Sequence, residues 1–404
     1  MAVPNFVEKR IFVVNPGSTS LKGKDVYVTL QRRGIDYIIN GYRENALPEK
    51  TNIPKEYFQD GVRDFITEAR KNGDPDVWGL KTVQGGPERM GCYWLDDRTI
   101  NEMREYSDLA PLHNPLFLKT MDTMKKVAGK RMRMAGNFET FYARGMPQCA
   151  KETGLPKKVE EKTGIRRYGF HGNSHFYVAE RAAQLRGEEP ESTSVITVHL
   201  GGSSSVASRR RGDVLYSSMG ATPESTGIIM AARAGIYSGE MKYMMRSLGI
   251  TESKARKILI GKSGLVGISG KDHGEDLRKL YADSDEGDDR ARLALDTFQL
   301  GIAREIGAQI AGMGNGQEVS LCFTGGMSRS QRFLSEIQGK LEYFDIDLEN
   351  DLPDEGVIGK SLSQPIKVFR IPTNEELVVA ESIANLNLNG NHWLDRLYLE
   401  PIGK

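Results

Sequence analysis

Two short stretches of this chain join a β-branched run to a glycine turn and a cluster of hydroxyls. Residues 11–22 read IFVVNPGSTSLK, and residues 195–206 read VITVHLGGSSSV. A strand running into such a turn presents backbone N–H groups and hydroxyls at its carboxyl end, a chemistry suited to phosphate. Asn15, Ser18, Ser20 and Lys22 lie on or beside the first turn, and His199, Gly201 and Gly202 on the second. An amide, two hydroxyls and an ammonium can hold phosphate or a metal-bound water. The plain structural alternative is a Ser-rich hairpin capping its own backbone. His171 stands in Tyr168-Gly169-Phe170-His171-Gly172, where the glycines allow close approach. An imidazole there can donate to charge building on a transferring group. Glu375 and Glu376 follow Pro372-Thr373-Asn374. With Thr373 as N-cap, Glu376 completes a capping box. The two glutamates can then serve different roles.

The elements that must position these groups alternate along the chain. Ile11–Val14 reads as a buried strand, Asp25–Leu30 as a second and Ile35–Ile39 as a third. Helical patterns cover Phe58–Lys71, Asn101–Tyr106, Leu116–Val127 and Ser174–Leu185, the last with Ser174 as N-cap. Val77–Val83, Val195–His199, Val206–Arg209, Val214–Tyr216 and Val319–Phe323 read as strands. Thr222–Ile260 reads as mostly helical, and Arg290–Met313 as the longest helix. The acidic run Asp283–Asp289 reads as a solvated loop. Glu375–Leu386 closes the series. Strand and helix alternate in both halves, so the class is α/β. Gly17 aligned with Gly201 sets the two turns 184 residues apart in a chain of 404, which points to two related lobes around a shared cleft.

Bulk composition narrows the function. The 55 basic and 54 acidic residues leave a net charge of +1, so no general affinity for nucleic acid or anionic membrane is expected. No run approaches the length of a membrane span, and the first residues lack a signal-peptide pattern. Cys92, Cys149 and Cys322 have no metal-ligand spacing, and their odd number disfavours a disulfide framework. They read as small buried hydrophobes in a reducing cytoplasm.

Several segments together resemble the acetate kinase family, of the acetate and sugar kinase, heat-shock and actin superfamily. They are NPGSTSLK (15–22), APLHNP (110–115), RYGFHGNSH (167–175), HLGGSSSV (199–206), SMGATP (218–223), SGLVGISG (263–270) and IPTNEEL (371–377), in the family's order. The resemblance implies two ribonuclease-H-like (actin-like ATPase) lobes with an interlobe cleft and a homodimer. It implies phosphoryl transfer between ATP or ADP and a small carboxylate, with Mg2+. The lobes would be 1–148 with a returning 376–404, and 149–375. Asn15 and Glu375 match the magnesium positions. His171 and His113 match active-site histidines, and Arg233 matches an arginine that contacts phosphate and carboxylate. Val83, Leu112, Phe170 and Pro223 match the acyl pocket. Ser18, Ser20, Lys22, His199, Gly201 and Gly202 match phosphate positions. Asp276, Arg278, Gly325, Gly326 and Met327 fall in nucleotide motifs. His175 and His199 read as supporting residues.

The departures fall on chemical positions. Lys81 replaces the family's first-lobe arginine, keeping charge but losing the planar fork. Gln84 replaces a histidine. Glu139 replaces the catalytic aspartate, moving the carboxylate outward by one methylene. Gly202 replaces an asparagine, and the adenosine loop reads Gly325-Gly326-Met327-Ser328-Arg329-Ser330. Lys81 and Glu139 look like paired changes. The leading expectation is a carboxylate kinase. The altered loop motivates a pyrophosphate-linked variant, and the Lys81 and Glu139 exchanges motivate a homologue that binds ligand without turnover.

Overall fold

The computed structural model describes residues 5–16, 21–34, 36–46, 58–129, 132–314 and 316–399. Gly17, Ser18 and Ser20 lie outside the described residues. Thirteen strands are described: β1 (Phe6–Pro16), β2 (Leu21–Arg33), β3 (Asp36–Ala46), β4 (Val77–Thr82), β5 (Cys92–Trp94), β6 (Met134–Phe138), β7 (Ser194–Leu200), β8 (Ser204–Arg210), β9 (Asp213–Ser217), β10 (Val319–Thr324), β11 (Ile346–Leu348), β12 (Gly356–Ser361) and β13 (Ile366–Arg370). They form two sheets, ordered β3-β2-β1-β4-β6-β5 and β11-β12-β13-β10-β7-β8-β9.

The second sheet repeats the first. In each, three strands run as an antiparallel meander. The first of the three then pairs in parallel with a fourth, which pairs in parallel with a fifth. An antiparallel strand follows at the far side, β5 in one sheet and β12 in the other. The glycine turns join β1 to β2 and β7 to β8, the same place in both. Asn15 faces Lys22 across the mouth of the first hairpin, and His199 faces Ser205 across the second.

Burial explains the strand sequences. Ile11, Phe12, Val13 and Val14 are fully buried, as are Ile196 and Val198. Strands covered on both faces need continuous apolar runs rather than alternation. Two helices pack on the central strands, one on each sheet: Gly172–Arg186, seated on β7 and β10, and Glu375–Asn389, seated on β1 and β4. They also pack on each other. Parallel α/β sheets expose their ligand sites beyond the strands' carboxyl ends. In this chain Asn15, Lys81, Glu139, His199 and Gly325 all occupy such ends.

Several sequence expectations are corrected. The helix expected from Ser174 begins at Gly172, so Ser174 lies inside it and His171 holds the cap position. Residues 222–237 are irregular rather than helical, and the helices there are Ser238–Leu248 and Glu252–Gly261. In this segment Gly227 lies close to the Glu305 carboxylate and Gly235 close to the Glu224 carbonyl oxygen. The acidic run is largely helical at its start and finish: Leu277–Asp285 ends in it and Asp289–Met313 begins in it. Asp288 caps the second helix through the Arg290 and Ala291 N–H groups. Asn374, not Thr373, caps the last helix by accepting from Leu377 N–H. Cys149 is exposed, whereas Cys92 and Cys322 are buried thiols.

Within the second sheet, the end of β10 forms a close seam with the end of β7. Gly325 has φ +88°, and a Cβ there would sit 2.3 Å from the Leu200 carbonyl oxygen. Gly325→Ala is therefore expected to lower the unfolding free energy by about 2 kcal/mol or more. Gly326→Ala meets nothing within 4 Å and should stay within about 0.5 kcal/mol. Urea unfolding of both variants checks the contrast, and equal stability would refute the seam.

Candidate active site

Lys81, at the end of β4, lies with its ammonium 2.8 Å from Glu139 Oε1 and 2.6 Å from Glu375 Oε2. Glu139 follows β6, and Glu375 opens the helix Glu375–Asn389. One cation thus ties three segments far apart in sequence. Burying an ammonium costs several kcal/mol unless it is paired. Burial works to strip the Lys81 proton, but Glu139 and Glu375 outweigh it and keep the ammonium charged. Burial also pushes the Glu139 carboxyl up, against the pull of Lys81. Glu375 is held below the usual carboxylate range: burial opposes this, and Lys81, His199 and Lys22 overcome it. Glu375 is therefore the firmer anion of the two.

Asn15 joins the same cluster by donating from Nδ2 to Glu376 Oε1, 2.7 Å away. This bond replaces the capping role expected of Glu376. Glu375 Oε1 is buried without a hydrogen-bond partner. It is a free oxygen donor beside a cluster whose carboxylates outnumber its ammonium. Among the described residues, no group of three His, Cys, Asp or Glu side chains is arranged to hold a metal. A cation that keeps most of its waters and takes one or two carboxylates still fits this donor set.

The histidines form the second part of the site. His171 adopts φ 57°, a left-handed conformation uncommon for a residue with a side chain. Gly172 makes this possible, because a Cβ there would fall 1.9 Å from the Glu139 carbonyl oxygen. The His171 N–H donates to Glu139 Oε2 at 3.4 Å, so the same turn holds the imidazole and the carboxylate together. His171 stacks on His199 with ring centroids 4.2 Å apart. Burial, then His199, His175, Lys81 and Arg233, hold His171 well below its ordinary pKa. His113 is lowered to about 3 by burial, with Arg233 and Lys81 adding to it. His199 is lowered to about 4 by burial, although Glu375 pulls the other way. These imidazoles are neutral hydrogen-bonding groups at neutral pH.

Arg233 donates from Nη2 to Ser203 Oγ at 2.7 Å and pairs with Glu224 at 3.4 Å. Its charge reaches both His113 and His171. The structure thus brings Asn15, Lys81, His113, Glu139, His171, His199, Arg233 and Glu375 into one electrostatic neighbourhood. Lys22 shares it, acting on Glu375 and His199. Val83, Phe170 and Pro223 are buried and Leu112 is half-buried. Val83 and Phe170 belong to the same apolar cluster. Gly325 abuts β7, and Met327 packs on the second lobe's core. Asp276 caps its helix and binds Arg278, whose side chain is 91% exposed, so this pair satisfies itself at the surface. Gly201 N–H bonds Ser203 O, while a Cβ on Gly202 would enter open space. Gln84 Oε1 accepts from Gly86 N–H, and Asn114 Nδ2 donates to Gln84 O, which anchors the segment beside His113.

Sequence reasoning missed Glu224, Ser174 and the pairing of Asn15 with Glu376. Glu224 carries no local signal, since only the fold brings it to Arg233. Two surface hollows, of about 340 and 160 Å³, lie elsewhere, one beside Tyr37 and Asn389 and the other beside Arg144 and Trp393. Neither is lined by any of these residues. The charged groups of the site are paired instead, Lys81 with Glu139 and Glu375, and Arg233 with Glu224.

Removing the central cation tests the cluster. Lys81→Met leaves two buried carboxylates unpaired and is expected to cost about 3–5 kcal/mol of stability. Adding Glu139→Gln to the same chain should recover part of that loss, and Lys81→Arg should keep most of the parent stability. Urea unfolding at neutral pH measures all three. A Lys81→Met protein as stable as its parent would contradict the arrangement.

A profile of the acetokinase family matches residues 10–381. An acetate kinase of Bacillus mycoides is 33% identical over 403 residues, covering 93% of this chain and 98% of that protein. The crystal structure of Porphyromonas gingivalis acetate kinase matches with a TM-score of 0.73 at 29% identity, over 94% of this chain and all of that one. A propionate kinase from Francisella tularensis shares the fold, with a TM-score of 0.76 at 24% identity over 93% of this chain and 98% of that one. The duplicated sheets are those of the actin-like ATPase fold. With nearly its whole length matched, the chain belongs to the acetokinase family.

Proposed function

We propose that this chain is a magnesium-dependent acetate kinase that also accepts close homologues such as propionate. It moves the γ-phosphoryl group of ATP onto a carboxylate oxygen, giving an acyl phosphate and ADP, and runs in reverse. A bond forms between the carboxylate oxygen and γ-phosphorus, and the bond to the ADP bridging oxygen breaks. The observation that carries this reading is the meeting of Lys81, His171 and Arg233 beside Glu139 and Glu375. Such transfer asks the protein mainly for positioning and for charge on the equatorial oxygens.

Each side chain then has a task. The Arg233 fork grips the acceptor carboxylate and a phosphoryl oxygen, with Glu224 and Ser203 holding its plane. His171 donates to the phosphoryl group in flight, and neutral His113 adds a hydrogen bond without adding charge. Lys81 supplies a fixed positive charge. Val83, Leu112, Phe170 and Pro223 bound a small apolar slot, where one methylene changes binding by about 1–3 kcal/mol. Asn15 and Glu375 would hold magnesium, with Glu139 beside them. Magnesium, when bound, neutralises phosphate charge. Ser18, Ser20, Lys22, His199, Gly201 and Gly202 line the phosphates. Gly325, Gly326, Met327, Asp276 and Arg278 take the adenosine side.

The same reading assigns 1–148 with 376–404 to one lobe and 149–375 to the other. It also gives a homodimer. The helix Ser238–Leu248 buries none of its residues, and Tyr237, Tyr243 and Leu248 stand exposed along it. A second copy covering this face would appear as a doubled mass by light scattering, and a monomer at working concentration would count against it. A cytoplasmic location accords with three free thiols and with no described helix long and apolar enough to cross a membrane.

Hydroxylamine trapping of acyl phosphate tests the activity directly. Product is expected with ATP, Mg2+ and acetate or propionate, and less with butyrate. Arg233→Gln should reduce kcat/KM by roughly 100-fold or more. No product with any acid would overturn the reading, and product from pyrophosphate but not ATP would overturn the donor.

A further inference from the structure

Apart from the reaction site, the hollow of about 160 Å³ beside Trp393 holds an unusual set of groups. Three of the residues lining it carry a buried donor without a hydrogen-bond partner: Tyr142 at its hydroxyl, Arg144 at Nη1 and Arg209 at Nε. Tyr142 and Arg209 are only 7% and 6% exposed. Buried polar groups are nearly always bonded, because leaving one alone is costly. Three such donors around one small hollow mark a place for a group that accepts from them.

The charge balance points to the class of that group. Arg209 is already matched, since its Nη1 donates to Glu180 Oε1 at 2.7 Å. Arg144 is not. Among the described residues no carboxylate forms an ion pair with it, and its guanidinium lies over the Trp393 ring, 3.8 Å from the centroid. Burial holds Arg144 below its ordinary pKa, and Asp395 and Tyr93 offset this only in part. The Lys151 ammonium donates to the Arg144 carbonyl oxygen at 2.8 Å. It too is lowered, by burial and then by Arg166 and Arg144. The region therefore has positive charge to spare. Asp213 and Asp395 also line the hollow, but both stand exposed to solvent. Burial pushes the Tyr142 phenol up to about 12, so it keeps the proton it would donate.

The remaining wall sets the shape. Phe141, Phe176 and Val214 line it with buried apolar side chains. A cavity of about 150 Å³ holds a benzene molecule, so this one suits a ligand of about six non-hydrogen atoms. Such a ligand needs an anionic head for the guanidinium and a short apolar tail for the rest. A carboxylate with a short alkyl chain meets both demands, whereas inorganic phosphate offers the phenylalanines nothing to cover.

We propose that this hollow is a second carboxylate site, which binds a short monocarboxylate of about the size of butyrate apart from the reaction site. The head accepts from Arg144 and Tyr142 with Arg209 beside them, and the tail lies against Phe141, Phe176 and Val214. Phe141, Tyr142 and Arg144 all belong to the turn Glu139–Gly145, whose first residue is one of the two partners of Lys81. A carboxylate held there stabilises the turn that carries Glu139. None of the residues gripping it takes part in phosphoryl transfer, so the site does not depend on the kinase reading.

The test uses the whole protein labelled with 15N-tryptophan, whose three tryptophans give three indole signals. A Trp393→Phe variant assigns the signal of Trp393. Butyrate added at constant ionic strength should move that signal and saturate, with its midpoint at roughly 1–10 mM. The Arg233→Gln protein, which lacks the grip on the acceptor, should respond in the same way. Arg144→Gln and Tyr142→Phe should each need roughly 10-fold more butyrate, with the other two indole signals in place to show an intact fold. Inorganic phosphate should leave the Trp393 signal where it is. No saturable movement, or unchanged midpoints in both variants, would overturn the site. Movement that disappears in Arg233→Gln would put butyrate in the reaction site alone and overturn it equally. A response to phosphate as strong as that to butyrate would overturn the ligand class.

Discussion

A single buried ammonium, held between two carboxylates from different parts of the chain, is the constraint on which the site depends. Lys81 comes from the parallel core of the first sheet, Glu139 from the turn after β6, and Glu375 from the start of the last helix. None of these charges is tolerable alone in that surrounding. Pairing them fixes where the last helix begins relative to the first sheet. It also fixes the turn that carries His171, because Glu139 accepts the His171 N–H and its carbonyl lies against Gly172. The strained backbone at His171 is thus held by the cluster it serves.

The duplicated sheet explains why such a cluster forms at all. Each half ends its parallel strands at the same level, and each contributes one hairpin with polar groups facing across its mouth. In the first half these groups are Asn15 and Lys22, and in the second they are His199 and Ser205. The two helices between the sheets bring these ends face to face. The second hairpin has become a scaffold for imidazoles, while the first bonds to the Glu376 carboxylate.

How much was legible in the residues depended on how local each feature was. Buried strands such as Ile11–Val14 and Val319–Phe323 declare themselves by their apolar runs, and the turn repeat betrays the duplication. His171, Arg233 and Glu375 were found through motifs of a few adjacent residues. The paired exchange of Lys81 and Glu139 was visible as two departures from a pattern. Their contact, however, is a tertiary fact. Glu224 and the Asn15–Glu376 bond were invisible because nothing near them in the chain requires them. The misjudged helix at residues 222–237 has a physical cause. Its Ala, Ile and Met content suits a helix, but Gly227 and Gly235 lie against Glu305 and the Glu224 backbone, close approaches that an irregular path makes. The cap at Asn374 was misplaced by one residue because Thr and Asn are both good caps, and only the fold chooses between them.

The central claim is that a carboxylate oxygen attacks a phosphoryl group held among Lys81, His171 and Arg233. The most direct measurement follows that oxygen. Incubation with ATP, Mg2+ and acetate labelled with 18O in both carboxylate positions should give ADP and acetyl phosphate whose phosphorus is bonded to an 18O atom, seen as an isotope shift in the phosphorus spectrum. ADP appearing with unlabelled phosphate, and no label bonded to phosphorus, would mean that water takes the phosphoryl group and would contradict the account.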